Sequence, residues 1–416
     1  MRNAFTVAAG IDVHRDTVVV TIRKKMTGAE DDQMETRTFE TFRDTLEKMA
    51  AWLQAEKVEA VGLESTGVYW MPVVRTLQEK ASDLLVWLVN PLDVKRRAGR
   101  KTDRKDSRWI SELVLYGMVA PSYLPSREQS ELRKLTRHRT KLVADQTRYH
   151  NRILKELEGS GVKLPSVVTD CMGKSGRAII EALLAEKLSL DEIADLARGS
   201  LRKKISLLRR AIDGSFTPST KIVLRQLLAL HDLVAHQTSL IDSDVRKLLA
   251  PQAAEQALAS TIPGVSDTSS AAVLAELGID MSLFPSSKHL TAWAGLAPGS
   301  EESAGKAKAA PARQGNKYLR TSLVQSAWAA VKTKASHWRQ VFLRLRSRLG
   351  PKKAIVAIAR KMLVALYYML RDNVPYRAPD QQPIPQPIKA RIANRLTQRL
   401  RALGYAVTLS AEPGVS

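Results

Sequence analysis

Four acidic residues occupy positions from which side chains can do chemistry: Asp12, Glu64, Asp103 and Asp106. Asp12 ends the apolar stretch Val7-Ala8-Ala9-Gly10-Ile11-Asp12, and Glu64 ends another, Val58 to Glu64. Asp103 and Asp106 stand three apart within a segment carrying eight Lys and Arg between Lys95 and Arg108. Carboxylates at two strand ends, plus a pair on one helical face, can converge on one point. Hard divalent cations take oxygen ligands, and a two-Mg²⁺ phosphoryl-transfer site holds its ions about 4 Å apart. The surrounding positive charge assigns the phosphate to a nucleic acid.

Global properties agree. The formal charge of +23 and a pI near 10.1 call for a polyanionic partner, DNA or RNA, bound with a steep salt dependence. With 416 residues, two or three domains are expected. No run of eighteen apolar residues occurs, so no membrane span is expected, and the N-terminus runs straight into a strand without the pattern of a signal peptide. The single cysteine, Cys171, excludes an intramolecular disulfide and a cysteine zinc site, and a cytoplasmic setting is expected.

The elements that must position the acids follow from periodicity. Residues 1–125 read as α/β, with strands at 6–13, 17–24, 36–40, 59–64 and 84–89 and helices at 41–55, 68–81 and 103–118. This is a mixed sheet covered by helices. Residues 126–158 and 221–249 read as two long amphipathic helices, able to form an antiparallel coiled-coil arm, to pair between subunits or to join an ordinary bundle. Residues 160–216 read as short helices. The turn Ile262-Pro263-Gly264-Val265, followed by a small-residue helix, is similar to a helix-hairpin-helix phosphate clamp and can equally be plain punctuation. Residues 299–317 read as a loop, followed by helices at 318–336 and 352–371. The segment after Pro375 reads as a linker with a basic terminal helix. The expected domains are therefore 1–125, 126–255, 256–376 and a basic tail, 377–416.

Each acid alone has a plainer reading. Asp12 can be a turn residue, and Asp16 competes with it. Glu64 can merely precede a helix cap. Asp103 and Asp106 can be solvated partners of neighbouring Arg and Lys. Together, in a basic context, they fit an RNase H-like layout. Gly10-Ile11-Asp12, Glu64-Ser65-Thr66-Gly67, Asn90-Pro91 and Lys101-Thr102-Asp103-Arg104-Lys105-Asp106 resemble the DEDD transposases of bacterial insertion sequences, the IS-one-ten family. The resemblance extends through Ile262 to Val265, Ala294-Gly295-Leu296-Ala297-Pro298 and Glu302-Ser303-Ala304-Gly305-Lys306, and so covers most of the chain.

That resemblance implies a RuvC-like N-terminal domain and a mainly helical C-terminal serine transposase domain. It implies Asp12, Glu64, Asp103 and Asp106 as Mg²⁺ ligands and Ser303 as the nucleophile, the two domains contributing to one reaction. The partners it implies are DNA at the element ends and target, a noncoding bridge RNA, and a homodimer assembling into a tetramer on DNA. Ser303 on its own residues is a weak candidate, with Ser300 three positions away and no histidine nearer than His289 and His337. Lys101, Arg104, Lys105, Lys306, Lys308, Arg313, Lys317 and Arg320, with the Gly264 turn, are candidate nucleic-acid contacts, each also readable as solvated surface. A RuvC-like endonuclease using a metal-activated water needs the acids without Ser303. A non-enzymatic nucleic-acid-binding protein needs neither.

Overall fold

Alternation of apolar side chains builds a five-stranded sheet in the first part of the chain. The computed structural model describes residues 4–25, 32–64, 67–91, 94, 106–297, 299–303, 306–310, 315–334, 336–378 and 386–409. They divide into two compact units, Met1–Glu131 and Leu132–Ser416. In the first, β1 (Val7–Val13), β2 (Thr17–Lys24) and β3 (Gln33–Glu40) form an antiparallel meander. Helix α1 (Arg43–Ala55) leads to β4 (Ala60–Glu64), and α2 (Trp70–Lys80) leads to β5 (Leu85–Val89). β4 runs parallel to β1 and β5 parallel to β4, giving the order β3-β2-β1-β4-β5.

The two sheet faces are covered by different helices. Ile11, Val18, Val20 and Leu63 face a core shared with Leu46, Leu53, Val73 and Leu77 from α1 and α2. The opposite face, with Ala8 and Ala60, packs on Ile110, Leu113 and Val114 of α3 (Asp106–Leu115). At the meander edge the buried Asp32 carboxylate accepts from Tyr116 Oη at 2.9 Å and pairs with Arg23 at 3.2 Å and Lys25 at 3.1 Å.

The second unit is nearly all helical. α4 (Arg127–Gly159) crosses into it from the first, so the expected uninterrupted helix forms. After α5 (Leu164–Val167), α6 (Lys174–Ala185), α7 (Leu190–Asp195) and α8 (Ile205–Ala211) comes α9 (Pro218–Leu249), started by the Thr217 cap and Pro218 at the first turn. α4 and α9 lie antiparallel. Leu132 shares a core with Val245 and Leu249, Arg139 forms an ion pair with Asp242, Gln146 meets His231, and Ile153 shares a core with Leu224 and Leu228. Both helices also pack on the short helices between them, so the pair is part of a larger core.

α10 (Ala253–Ser260), α11 (Asp267–Leu277) and α12 (Ser287–Trp293) follow. Within 299–317, expected as a loop, residues 299–303 and 306–310 instead pair as the antiparallel strands β6 (Gly299–Ser303) and β7 (Lys306–Ala310). Their Gly, Ser, Ala and Lys content carries little β signal, whereas backbone pairing needs no particular side chain. α13 (Lys317–Lys332) is followed by α14 (His337–Leu349), a span to which the sequence reading assigned no element, then by α15 (Pro351–Asp372) and α16 (Gln386–Ala402). Trp338, Val341 and Phe342, buried at helical spacing behind the Ser336 cap, are the signal that marks α14. No helix among the described residues is long and apolar enough to cross a membrane.

Candidate functional site

Strand register and two glycines assemble the acidic site. Gly10 pairs with Gly62 and Ile11 with Leu63 in the parallel β1–β4 ladder, so Asp12 and Glu64 emerge side by side at the carboxyl ends of adjacent strands. Asp12 is two residues beyond Gly10, and Glu64 two beyond Gly62. Alternation therefore places both acids on the face that α3 covers. That face admits a helix because the glycines leave it bare. A Cβ on Gly10 would stand 2.1 Å from the Ser107 carbonyl oxygen, and one on Gly62 2.5 Å from a Val114 methyl. Ser107 is further tied to β2 by a buried 3.0 Å hydrogen bond with Thr21.

This seat brings Asp106, the first residue of α3, into electrostatic reach of Asp12. Burial raises the Asp12 pKa above the ordinary carboxylate range, and the Asp106 charge adds to that, while His14 opposes it. His14 Nε2 lies 3.1 Å from Asp12 Oδ2. His14 was not singled out from the sequence, although it stands two positions beyond Asp12 on the same strand path. Asp16, the sequence competitor, is 84% exposed in the β1–β2 turn and beside Arg15. The structure thus brings Asp12, Glu64 and Asp106 to one end of the sheet. Asp103 and the basic candidates Lys101, Arg104 and Lys105 lie outside the described residues.

Burial and the Asp106 charge disfavour the Asp12 anion, which a hard divalent cation would relieve, and the all-oxygen donor set of Asp12, Glu64 and Asp106 suits such an ion. Among the described residues no group of three or more His, Cys, Asp or Glu is already drawn together tightly enough to form a metal cluster.

In the second unit, Gly264 has φ of 88°, and a Cβ there would stand 2.4 Å from both Ser326 O and Ala330 N of α13. The Ile262–Val265 turn therefore depends on its glycine for packing. The first turn of α11 carries its own capping box, Ser266 with Ser269, and the acidic Asp267. The Ala294–Ala297 turn is closed by two backbone bonds to Thr291 O, at 2.9 Å from Leu296 N and 3.0 Å from Ala297 N. Gly315 packs against it, a Cβ there falling 2.2 Å from Gly295 N. The β6–β7 hairpin springs from this pinned neck. Its register sets Ser303 opposite Lys306 and Glu301 opposite Lys308, while Ser300 pairs with Ala309. Arg313 lies outside the described residues; Lys317 starts α13 and Arg320 follows one turn later.

The sequence reading missed Glu276. Its carboxylate is only 2% exposed on α11, yet it accepts from Arg137 at 2.6 and 2.8 Å and from Asn316 Nδ2 at 2.6 Å. Arg133 donates to the Ala275 and Glu276 carbonyls. Asn316 in turn caps α13 by accepting from the Tyr318 and Leu319 amides. One buried carboxylate thereby links α4, α11 and the return of the hairpin neck. An acid whose partners lie about 140 and 40 residues away in sequence leaves no local signature.

An α/β unit with acids at the sheet end, followed by a basic helical unit, defines a protein built for nucleic-acid chemistry. Residues 9–161 match a model described as a transposase, and residues 256–342 match a model described as the transposase IS116/IS110/IS902 family. The chain is 27% identical over 309 residues to the insertion element IS900 uncharacterized 42 kDa protein of Mycobacterium paratuberculosis, covering 67% of this chain and 74% of that one. It is 26% identical over 307 residues to the insertion element IS116 uncharacterized 44.8 kDa protein of Streptomyces clavuligerus, covering 68% and 75%. A shorter match, 29% over 164 residues, links it to the insertion element IS110 uncharacterized 43.6 kDa protein of Streptomyces coelicolor, covering 39% of this chain and 40% of that one. The chain belongs to the IS110 family of insertion-sequence transposases.

Proposed function

We propose that the protein moves its insertion element by serine-based strand transfer, with a RuvC-like first unit. The observation that carries this reading is the convergence of Asp12, Glu64 and Asp106 beside the Gly10–Gly62 seat, in a chain of net charge +23. The strand order, with three antiparallel strands followed by two parallel ones, suits the RuvC-like assignment. Asp12, Glu64, Asp106 and Asp103 would hold Mg²⁺. When bound, the ion would supply Lewis-acid stabilisation of the charge that develops on the scissile phosphate.

The hydroxyl of Ser303 attacks the DNA phosphorus. The Ser303 Oγ–P bond forms, the bond from phosphorus to one deoxyribose oxygen breaks, the serine proton is given up and the departing sugar oxygen becomes a hydroxyl. A sugar hydroxyl of the recipient strand then attacks the phosphoserine and restores the serine. One phosphoester is exchanged for another at each step, so no ATP is consumed. Lys306, Lys308, Arg313, Lys317 and Arg320 hold the phosphate, and Lys101, Arg104 and Lys105 flank the acids. The Gly264 turn contributes a further phosphate contact. A structured noncoding RNA selects the sites, and the protein works as a dimer that assembles further on DNA. Leu233 and Leu240, exposed on α9, support the subunit contact.

A covalent adduct tests the reading. The protein is incubated with Mg²⁺, candidate RNA and a DNA substrate nicked to trap the intermediate, then denatured. DNA should migrate with protein. Ser303→Ala should lose both the adduct and strand exchange while keeping nucleic-acid binding, and Ser300→Ala should behave as the parent. Cleavage that persists in Ser303→Ala without an adduct would instead assign a hydrolytic nuclease.

A further inference from the structure

Apart from the acids and the hairpin, the second unit holds a cavity of about 620 Å³ between α14, α15 and the segment that follows α15. Its size is that of a small-molecule site. Trp338, Tyr368 and Tyr376 supply aromatic walls, and Arg360, Lys361 and Arg377 supply positive charge; no Asp or Glu lines it among the described residues. The Trp338 and Tyr376 rings lie 5.7 Å apart at 31°. Thr261 Oγ1 accepts from the Tyr376 amide at 2.9 Å and holds this wall in place.

Three polar atoms of these walls are unpartnered. Trp338 is 4% exposed, and its Nε1 has no hydrogen-bond acceptor. Arg360 Nε and Tyr376 Oη are likewise buried without partners. A buried donor that has lost water and gained no acceptor is costly, so three at the lining of one cavity favour a bound ligand that can accept from them. The ligand that suits them is rich in acceptors, anionic and planar. Burial, then the positive charges of Arg344 and Lys361, lower the pKa of His337, which also lines the cavity.

We propose that this cavity binds an unpaired nucleotide of a nucleic-acid strand, its base against the aromatic walls and its phosphate near Arg360, Lys361 and Arg377. Duplex bases stay stacked on their neighbours and reach such a pocket only by flipping out, whereas single strands stack readily on aromatic side chains. The chemistry is common to RNA and DNA. The choice of polymer rests on the transposase reading, but the site does not depend on the Ser303 chemistry.

The test uses the full chain and needs no cleavage. Single-stranded RNA carrying 4-thiouridine and single-stranded DNA carrying 5-bromodeoxyuridine are photocrosslinked to it, and the crosslinked peptides are mapped by mass spectrometry. Crosslinks should fall on Trp338, Tyr368 or Tyr376, equally in Ser303→Ala, and should be outcompeted by unlabelled single strand better than by duplex. The stronger of the two arms identifies the polymer. Trp338→Ala and Arg360→Gln should weaken single-strand binding by roughly fivefold to a hundredfold, the range of one stacked base. Tyr376→Phe, which deletes only the unpartnered hydroxyl, should keep the fold and at least halve crosslinking at its own position. If Trp338→Ala fails to fold, Arg360→Gln decides. Crosslinks confined to other regions, with Arg360→Gln and Tyr376→Phe binding within twofold of the parent, would overturn the proposal.

Discussion

Gly10 of β1 and Ser107 of α3 meet backbone to backbone, so closely that a Cβ on Gly10 would stand 2.1 Å from the Ser107 carbonyl oxygen and 2.3 Å from the Ser111 amide. The contact lays α3 directly on the sheet and sets Asp106 near Asp12. The glycine pair in β1 and β4 therefore serves the acids as much as it serves the core.

Gly10→Ala should displace α3, because the clash is with helix backbone that cannot rotate away. The destabilisation should exceed the about 1–3 kcal/mol typical of overpacking. Gly62→Ala should cost less, since its nearest atoms are the Val114 and Ile110 methyls at 2.5 and 3.0 Å. Urea titration of both variants checks the order, and a milder Gly10 variant would contradict the seat.

Asp12→Asn should raise the melting temperature without divalent cations, because burial and Asp106 already penalise the Asp12 anion. The same variant should lose the stabilisation that Mg²⁺ gives the parent, together with strand exchange. Thermal melts with EDTA and with Mg²⁺ read both effects. An unchanged response to Mg²⁺ would remove Asp12 from the ligand set.

Asp32 predicts an acid limb. Burial pushes its carboxyl up, but hydrogen bonds from Tyr116, Lys25 and Arg23 outweigh that and hold it below the ordinary range. An acid with a depressed folded pKa contributes stability above its unfolded value, about 3.9, and loses it as pH falls through the folded value. Asp32→Asn should therefore lower stability at neutral pH and flatten the dependence below about pH 4. Denaturant midpoints from pH 3 to 7 measure this.

Glu276→Ala strands Arg137 and the Asn316 amide, and breaking a buried pair costs about 3–5 kcal/mol. Glu276→Gln keeps one acceptor oxygen and should cost less. Equal unfolding midpoints for the two variants would show that the carboxylate is not the hub.

Leu233→Pro should break α9 at a cost of about 3 kcal/mol or more while leaving the α/β unit folded. If this helix face joins subunits, the variant should sediment as a monomer at concentrations where the parent does not.

Much of this was legible in one dimension. The apolar runs ending at Asp12 and Glu64 became β1 and β4, and unbroken amphipathic patterns became α4 and α9, because alternation and helical periodicity are local consequences of burying one face. The motifs around the acids and the Gly264 turn were sufficient for the family. The β6–β7 hairpin was not legible, since pairing rests on backbone groups common to every residue. Nor were the His14 contact with Asp12, the Glu276 hub or the unpartnered donors around Trp338. A strand register, a bare glycine seat, the desolvation of a carboxylate and a vacant hydrogen bond are relations between distant segments. Sequence determined which elements form and which residues they carry; tertiary packing decided which of those residues meet and at what electrostatic cost.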